Sequence, residues 1–96
     1  MPQITLTRRA EIDLERLRAF LPANAPRVAK NAAKTLKNAF EMIGWHPMLG
    51  KAVEFENFDC RELLVAFGST GYIVLYRVID AEVYILAVRH QREKSF

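Results

Sequence analysis

Residues 60–89, which read CRELLVAFGSTGYIVLYRVIDAEVYILAVR, decide the fold of this chain. Three runs rich in β-branched and aromatic residues alternate with two turn signals, Gly68-Ser69-Thr70-Gly71 and Asp80-Ala81. The pattern predicts an antiparallel three-stranded meander whose strands cover about residues 60–67, 72–79 and 82–88.

Two amphipathic helices are predicted upstream of the meander. Residues 8–21 repeat apolar side chains at spacings of three and four, and Thr7 is suited to cap the first turn. Residues 26–43 begin with a proline and carry a second apolar stripe, which Gly44 is expected to end. Because the segment between them is short, the sequence predicts a helical hairpin over about residues 8–44.

The expected fold class is α+β. Its antiparallel β-sheet combines a short N-terminal strand at residues 3–6 with the three-strand meander at about residues 60–89, and the α-helical hairpin packs on one face. With 96 residues, 51% of them hydrophobic, the chain is expected to form one domain over residues 1–96. This size excludes a multi-domain enzyme and a large cofactor-binding fold.

The net charge bears on the kind of partner, and the cysteine content bears on the cellular compartment. The net charge of +3 is compatible with an acidic partner, and the single cysteine, Cys60, excludes an internal disulfide and fits a reducing cytosol. The sequence shows neither an apolar run of membrane-spanning length nor a signal-peptide pattern. We therefore expect a cytoplasmic protein that does not bind a membrane.

The two turns predict which side chains share a face of the sheet. A two-residue turn at Asp80-Ala81 and a four-residue turn at 68–71 place Ala87 and Arg89 on the face under the helices. The opposite face is unexpectedly apolar for a sheet in water, which suggests a surface that binds a partner. The residues of this predicted partner surface are Leu64, Ala66, Ile73, Leu75, Leu86 and Val88.

Few residues form a recognisable chemical motif. Cys60 has no histidine near it in sequence, and His46, Cys60 and His90 lack the paired spacing of metal ligands. The glycine-containing segment at 68–71 lies between two strands and indicates a turn rather than a phosphate-binding loop. We expect neither a metal ion nor another cofactor.

Two groups of cations have two interpretations each. Three arginines and one histidine, from the end of the chain and from the neighbouring strands of the sheet, could hold a phosphate and supply an acid or base: Arg61, Arg77, His90 and Arg92. Alternatively the tail is solvated, and Arg77 pairs with Glu62 or Glu82. The second group is a stripe on the second helix that either binds nucleic acid or an acidic protein, or is only the solvated face: Arg27, Lys30, Lys34 and Lys37.

Five segments together resemble the RelE/ParE superfamily, the toxins of bacterial type II toxin–antitoxin modules. They cover nearly the whole chain in order: Leu6–Leu14, Met42–Pro47, Arg61–Leu63, Tyr72–Val78 and Val83–Glu93. The resemblance implies an antiparallel sheet with a helical hairpin on one face. It also implies a cognate antitoxin, ParD-like or RelB-like, that wraps and neutralises the toxin in the bacterial cytoplasm.

Two branches of the superfamily imply different mechanisms. RelE-like members cleave mRNA on the ribosome with basic residues on the sheet, whereas ParE-like members inhibit DNA gyrase. Positions that hold two lysines and an arginine in the RelE pattern are Glu62, Leu64 and Ile73 here. Another ribonuclease branch pairs a C-terminal histidine with a tyrosine, and this pairing is missing after His90. The long, lysine-rich second helix also resembles ParE.

We therefore expect a ParE-like toxin that inhibits DNA gyrase through protein contact. The residues expected to bind this target are Arg77, Arg89, His90, Gln91 and Arg92. One alternative is a metal-independent endoribonuclease that cleaves mRNA on the ribosome and uses Arg61, Arg77, His90 and Arg92. The other is a relic that binds its antitoxin without being toxic.

Overall fold

A computed structural model describes residues 3–21 and 23–96 of the chain. Its elements are, in chain order, β1 (Ile4–Leu6), α1 (Arg8–Ala19), α2 (Pro26–Trp45), β2 (Lys51–Phe55), β3 (Phe58–Phe67), β4 (Thr70–Ile79) and β5 (Glu82–His90). The strands form one sheet in the order β1-β5-β4-β3-β2, in which only the pair of β1 and β5 is parallel. Both helices pack on one face of this sheet, so the predicted α+β fold is confirmed.

Besides the predicted N-terminal strand and the three-strand meander, the sheet contains a fifth strand. This strand, β2, lies in the connector after the second helix and pairs with β3 at the edge of the sheet. A two-residue turn at Glu56 and Asn57 joins them, and both residues have positive φ, 51° and 69°. Such a turn matches the twist of the two strands, so a hairpin extends the meander.

Thr7 caps α1 as predicted and also ties it to the sheet. Its Oγ1 accepts a hydrogen bond from the Ala10 amide at 3.2 Å and faces the carbonyl oxygens of Ile85 and Leu86, each at 3.0 Å. One hydroxyl therefore fixes the first turn of α1 against β5.

The end of α2 lies one residue beyond the predicted boundary. Gly44 keeps a helical conformation and the helix continues to Trp45, after which the His46 amide donates to the Met42 carbonyl at 2.9 Å. The expectation that Gly44 ends the helix is wrong because this glycine does not adopt the positive φ of a helix-terminating residue.

Beyond the end of β1, side chains of α1 form hydrogen bonds with backbone groups at the edge of β5. The pairing of β1 with β5 ends at Ile85. Further along, the Asp13 carboxylate accepts a hydrogen bond from the Val88 amide at 3.0 Å, and Arg16 donates to the Val88 carbonyl at 3.4 Å. The helix thus replaces a missing strand and protects this edge.

A β-bulge changes the faces predicted for the second half of β5. Leu86 is the extra residue, since its neighbours pair normally: Tyr76 with Ile85 and Leu75 with Ala87. Beyond the bulge each side chain lies on the face opposite to the predicted one, with Val88 and His90 on the helix side and Ala87 and Arg89 on the other. The prediction for these four was wrong because one inserted residue reverses the alternation.

The turn between β3 and β4 is shorter than predicted, but the side chains of both strands still lie on their predicted faces of the sheet. Phe67 pairs with Thr70, so the turn is Gly68-Ser69, and Gly68 has a φ of 62°. A shift of the register by two residues returns every side chain to the same face. The face assignments of these two strands are therefore confirmed.

Apolar side chains are buried on both faces of the sheet. The main core lies under the helices and includes Ile43, Val74, Tyr76 and Ile85. A smaller cluster lies on the other side, which we call the open face: Cys60, Leu75 and Ala87, with Val53, Phe55, Leu86 and Phe96 packed against them. The C-terminal residue thus folds back over the open face.

Candidate functional site

A cavity of about 360 Å³ opens on the open face, and we call it the open-face cavity. Its lining consists of Arg9, Phe55, Glu56, Phe58, Cys60, Arg77, Ile79, Tyr84 and Leu86. The guanidinium carbon of Arg77 lies 4.4 Å from the ring centroid of Phe58, and that of Arg9 lies 5.7 Å from that of Phe55. Stacking on a ring leaves the N–H donors at the guanidinium edge available to an anion.

The open-face cavity offers the cations of Arg9 and Arg77 and the carboxylate of Glu56, whereas its thiol and its phenol are not activated. Burial raises the pKa of the Cys60 thiol, although the positive charge of Arg77 acts in the other direction. The Tyr84 hydroxyl donates to Glu82 Oε2 at 2.7 Å, and this hydrogen bond raises the pKa of the phenol. Both groups therefore stay protonated at neutral pH, which suits binding rather than proton transfer.

The four residues predicted for a ribonuclease site are not brought together. Arg61 lies on the helix side of the sheet and donates to the Gly50 carbonyl at 2.6 Å and to the Met48 carbonyl at 3.4 Å. Arg77 lies on the open face. Among the described residues no ion pair joins Arg77 to Glu62 or Glu82, so that expected pairing is absent.

His90 is held by hydrogen bonds on the helix side. Its Nδ1 accepts from the Arg92 amide at 3.1 Å, which assigns the ring proton to Nε2, and Nε2 lies 3.3 Å from the Thr70 hydroxyl oxygen. The ring also meets the edge of Tyr72, with centroids 5.8 Å apart. Both nitrogens are therefore occupied, and neither faces Arg77.

The C-terminal tail is anchored by the residues around Glu93. The Glu93 carboxylate accepts from the His90 amide at 2.8 Å and from Arg16 at 2.6 Å, and its carbonyl accepts from Arg89. Burial raises the pKa of Glu93, but the hydrogen bonds from His90 and Arg16 outweigh it and leave the pKa below its usual value. Arg89, which also stacks on the Phe96 ring at 5.1 Å, is thus engaged within the fold.

The remaining predicted target-binding residues, Gln91 and Arg92, have exposed side chains. Together with Arg77 they are the members of that predicted set that are available to a partner. The set is therefore split between the open face, the helix side and the tail.

The predicted partner surface is smaller than expected. Leu64 is 58% exposed and Ala66 is also exposed, whereas Ile73 and Leu86 are half-buried. Leu75 is buried because Phe55 and Phe96 pack on its cluster, and Val88 is buried on the helix side because of the bulge. These last two residues do not belong to an exposed patch on the open face.

A larger apolar groove, which the sequence analysis missed, lies between the two helices. This interhelical groove measures about 1160 Å³. Its lining is mostly apolar: Leu6, Leu14, Leu17, Ala19, Leu21, Ala23, Pro26, Ala29, Ala32, Ala33, Leu36, Phe40 and Tyr72, with Glu11, Glu15, Arg18, Lys30 and Lys37. The signal for it is the run of alanines on α2, because side chains this small do not fill the space beside α1.

The predicted basic stripe on α2 is exposed along its length. None of its four cations forms an ion pair within residues 3–21 and 23–96. Lys30 and Lys37 line the interhelical groove, whereas Arg27 and Lys34 are not part of its lining. The stripe is therefore positioned beside a surface that can hold a partner.

Residues 3–21 and 23–96 contain neither a membrane-spanning helix nor a cluster of metal ligands. No helix there is long and apolar enough to cross a membrane. No group of three or more His, Cys, Asp or Glu side chains in residues 3–21 and 23–96 is placed to hold a metal ion.

A helical hairpin on one face of a mostly antiparallel sheet is also the fold of solved toxins from type II toxin–antitoxin systems. Residues 4–95 match the family described as "ParE toxin of type II toxin-antitoxin system, parDE". The chain belongs to this family, within the RelE/ParE superfamily, and the resemblance inferred from the sequence is confirmed.

Similar proteins with established names are toxins of the same superfamily. Toxin RelE3 of Caulobacter vibrioides is 35% identical over 98% of this chain and 99% of its own length. Toxin RelE2 of the same organism is 31% identical over 94% of this chain and 96% of its own.

Solved structures with the same fold are toxin–antitoxin complexes. A chain of the RelBE2 complex from Mycobacterium tuberculosis matches with a TM-score of 0.62 and 29% identity, over 95% of this chain and all (100%) of that one. The intact RelBE complex of E. coli matches with a TM-score of 0.57 over 97% of this chain and 100% of that one, and at 19% identity it supports the fold alone.

Proposed function

We propose that this toxin arrests growth by binding DNA gyrase in the bacterial cytoplasm, and that a cognate antitoxin neutralises it. The observation that carries the proposal is the dispersal of the residues that a ribonuclease would need. Arg61 and His90 are engaged on the helix side, whereas Arg77 lies on the open face. A surface without an assembled acid–base pair acts by binding.

Metal-independent cleavage of RNA requires groups in contact with one phosphate. A base must reach the ribose hydroxyl, and cations must stabilise the charge that develops on the phosphate. Here the Cys60 thiol and the Tyr84 phenol of the open-face cavity both have raised pKa values, and the carboxylate of Glu56 also lines the cavity. The ParE description of the matching family supports the same conclusion.

A second candidate, ribosome-dependent cleavage of mRNA, is favoured by two observations. Relatives from Caulobacter vibrioides bear the name RelE. In addition, Arg9 and Arg77 stack on phenyl rings beside the open-face cavity, an arrangement that also suits a phosphate and a base. In this cavity the carboxylate of Glu56 is the candidate proton acceptor.

The interhelical groove is the better candidate for the antitoxin. It is larger than the open-face cavity, about 1160 Å³ against about 360 Å³, and its floor is apolar. An amphipathic segment of a partner binds such a groove through its apolar side. The RelBE2 complex of similar fold, which contains an antitoxin, supports the presence of such a partner. The exposed residues Leu64 and Ala66 remain candidates for a second contact.

Purified components decide between the two targets. The toxin is added to a gyrase supercoiling reaction and, separately, to an in-vitro translation reaction in which mRNA ends are mapped, each with and without antitoxin. Inhibition of supercoiling that the antitoxin relieves supports the proposal. Cleaved mRNA together with unaffected supercoiling would overturn it and establish the second candidate.

A further inference from the structure

The floor of the interhelical groove contains one polar side chain among the described residues. Tyr72 is only 4% exposed, and within residues 3–21 and 23–96 its hydroxyl has no hydrogen-bond partner. Arg89 Nε is the one fully buried side-chain polar atom there that lacks a partner, so the Tyr72 hydroxyl still reaches the surface, and the surface that Tyr72 lines is the groove. The other buried residues of the lining are apolar: Leu17, Ala32, Leu36 and Phe40.

The ring of Tyr72 is held in place by its neighbours. The centroid of the Phe67 ring lies 6.0 Å away, and the His90 ring meets that of Tyr72 edge to face at 5.8 Å. His90 is itself fixed by the Arg92 amide and the Thr70 hydroxyl. The hydroxyl of Tyr72 is therefore presented at a fixed position, which reduces the conformational entropy lost when a partner binds.

The hydroxyl of Tyr72 is a hydrogen-bond donor at neutral pH. Burial raises the pKa of the phenol, so the proton stays on the oxygen. Buried tyrosine hydroxyls usually have a partner, and a hydroxyl that is cut off from water without gaining one weakens binding. A molecule that covers the groove must therefore bring a polar group to this point of the floor.

Charged side chains on the two walls indicate the chemistry of the partner. Glu11 and Glu15 line the groove from α1, together with Arg18 near the end of that helix, whereas Lys30 and Lys37 line it from α2. None of these side chains forms an ion pair within the described residues. The charges fit a partner whose cations face Glu11 and Glu15 and whose carboxylates face the lysines, with apolar side chains between them.

The occupant that these features fit is an amphipathic helix of the antitoxin. The lining follows α2 from Pro26 to Phe40, which is about 21 Å along the axis, or about four turns of a helix. A second copy of this chain offers no such helix, because α1 and α2 both bury their apolar sides against the sheet. The RelBE2 toxin of similar fold was solved together with an antitoxin.

We propose that the Tyr72 hydroxyl selects the antitoxin and sets its register, by donating a hydrogen bond to one polar side chain on the otherwise apolar side of the antitoxin helix. A shift of that helix by one turn, about 5.4 Å, leaves both polar groups unpaired in an apolar groove. A single buried polar residue fixes the register of paired helices in the same way. The inference rests on the proposed function, since it assumes that the antitoxin binds the interhelical groove.

The test compares Tyr72→Phe with Tyr84→Phe, a control that removes the same hydroxyl group on the open face, where it bonds Glu82. The affinity of each toxin variant for the cognate antitoxin is measured by calorimetry. We expect Tyr72→Phe to bind about tenfold or more weakly and Tyr84→Phe to bind like the wild type. Urea unfolding of Tyr72→Phe should match that of the wild type, because the hydroxyl has no partner in the described part of the free toxin.

A double-mutant cycle identifies the partner of the hydroxyl. Each Ser, Thr, Asn, Gln, Asp and Glu of the antitoxin is replaced by Ala in turn, and each variant is measured against wild-type toxin and Tyr72→Phe. One antitoxin variant should lose about tenfold in affinity for the wild type and little for Tyr72→Phe.

A probe in the unaltered toxin covers any loss of folding in the variant. The chain has three tyrosines, so carbon-13 at the Cζ atoms gives three NMR signals. The Tyr72 signal should shift when unlabelled antitoxin is added, because Cζ carries the hydroxyl that gains a hydrogen bond.

The outcomes separate failure of this proposal from failure of the proposed function. Unchanged or tighter antitoxin binding by Tyr72→Phe, equal losses in Tyr72→Phe and Tyr84→Phe, the absence of a coupled antitoxin side chain, or an unshifted Tyr72 signal would each overturn the role of Tyr72. If Ala33→Arg, which obstructs the groove, still abolished binding, only that role would be rejected. If Ala33→Arg also bound normally, the groove would not be the antitoxin site. The supercoiling reaction tests the target of the toxin independently of these results.

Discussion

The hydroxyl of Tyr76 accepts a hydrogen bond from the Gly50 amide at 2.8 Å, so a residue in the centre of the sheet holds the loop before β2. The same hydroxyl donates to the Pro47 carbonyl at 2.7 Å, and the side chain of Tyr76 is fully buried. The main core and the loop between α2 and β2 are therefore coupled through one side chain.

Tyr76→Phe should lower the free energy of unfolding by about 1–3 kcal/mol, because it leaves the buried Gly50 amide and the Pro47 carbonyl without their partner. Urea unfolding measures this difference. Tyr84→Phe is the matched control, since its hydroxyl bonds only the half-buried side chain of Glu82 and no backbone group, and a change within about 0.5 kcal/mol is expected. Equal losses in the two variants would contradict the anchoring role of Tyr76.

Ala81→Gly should stabilise the protein. Ala81 has a φ of 67° in the turn between β4 and β5, a conformation that glycine adopts without the clash of a Cβ. After allowance for the greater freedom of glycine in the unfolded chain, we expect a gain of about 0.5–1 kcal/mol in thermal or urea unfolding. Ala52→Gly, within β2, should be destabilising, and a loss in both variants would show that the turn is not strained.

The periodicity of the sequence was sufficient to predict the helices, the meander and, for most strand residues, the face of the sheet on which the side chain lies. It failed at Leu86, because the bulge is stabilised by Thr7 and its effect extends to Val88, which Asp13 contacts from α1. These partners are separated from β5 by more than seventy residues, and alternation within a strand contains no information about them. The pattern therefore assigned Val88 and His90 to the wrong face.

The candidate site was predictable only in part. The arginines were found by their residue type, but their engagement depends on contacts with backbone carbonyls, as for Arg61 with Gly50 and Arg89 with Glu93. The interhelical groove depends on how far apart the helices lie, which an apolar stripe does not specify. Position on a face can thus be derived from spacing, whereas availability to a partner cannot.

The C-terminal tail should loosen in acid. The pKa of Glu93 is lower in the folded chain than its usual value, so its stabilising effect is present above the unfolded pKa of about 4.3 and is lost as the pH falls through the folded value. Glu93→Gln should therefore be less stable than the wild type at pH 7, and the difference should shrink below about pH 4. Thermal unfolding at several pH values measures it, with Glu54→Gln, which is exposed, as control. A difference that does not depend on pH would exclude the carboxylate as its cause.

His90→Gln should retain growth arrest, because the ring nitrogens of His90 bond the Arg92 amide and the Thr70 hydroxyl instead of facing a cavity with Arg77. Growth curves of a strain that produces each variant provide the measurement. Arg77→Ala is the comparison and should weaken gyrase inhibition, since Arg77 is available at the open-face cavity. If His90→Gln folded normally, abolished toxicity and lowered mRNA cleavage by about a hundredfold or more, His90 would be an acid or base, and the ribonuclease would be the correct function.

Ala33→Arg should weaken neutralisation without affecting toxicity. Ala33 lines the interhelical groove, and a long charged side chain there would exclude an apolar partner. We expect antitoxin affinity, measured by calorimetry, to fall about tenfold or more, while gyrase inhibition by the free toxin is unchanged. Asn31→Arg is the matched control, because it adds the same charge to α2 at an exposed position that does not line the groove. If both variants bound the antitoxin equally well, the groove would not be its site, and Leu64→Arg on the open face would then be expected to disrupt the complex.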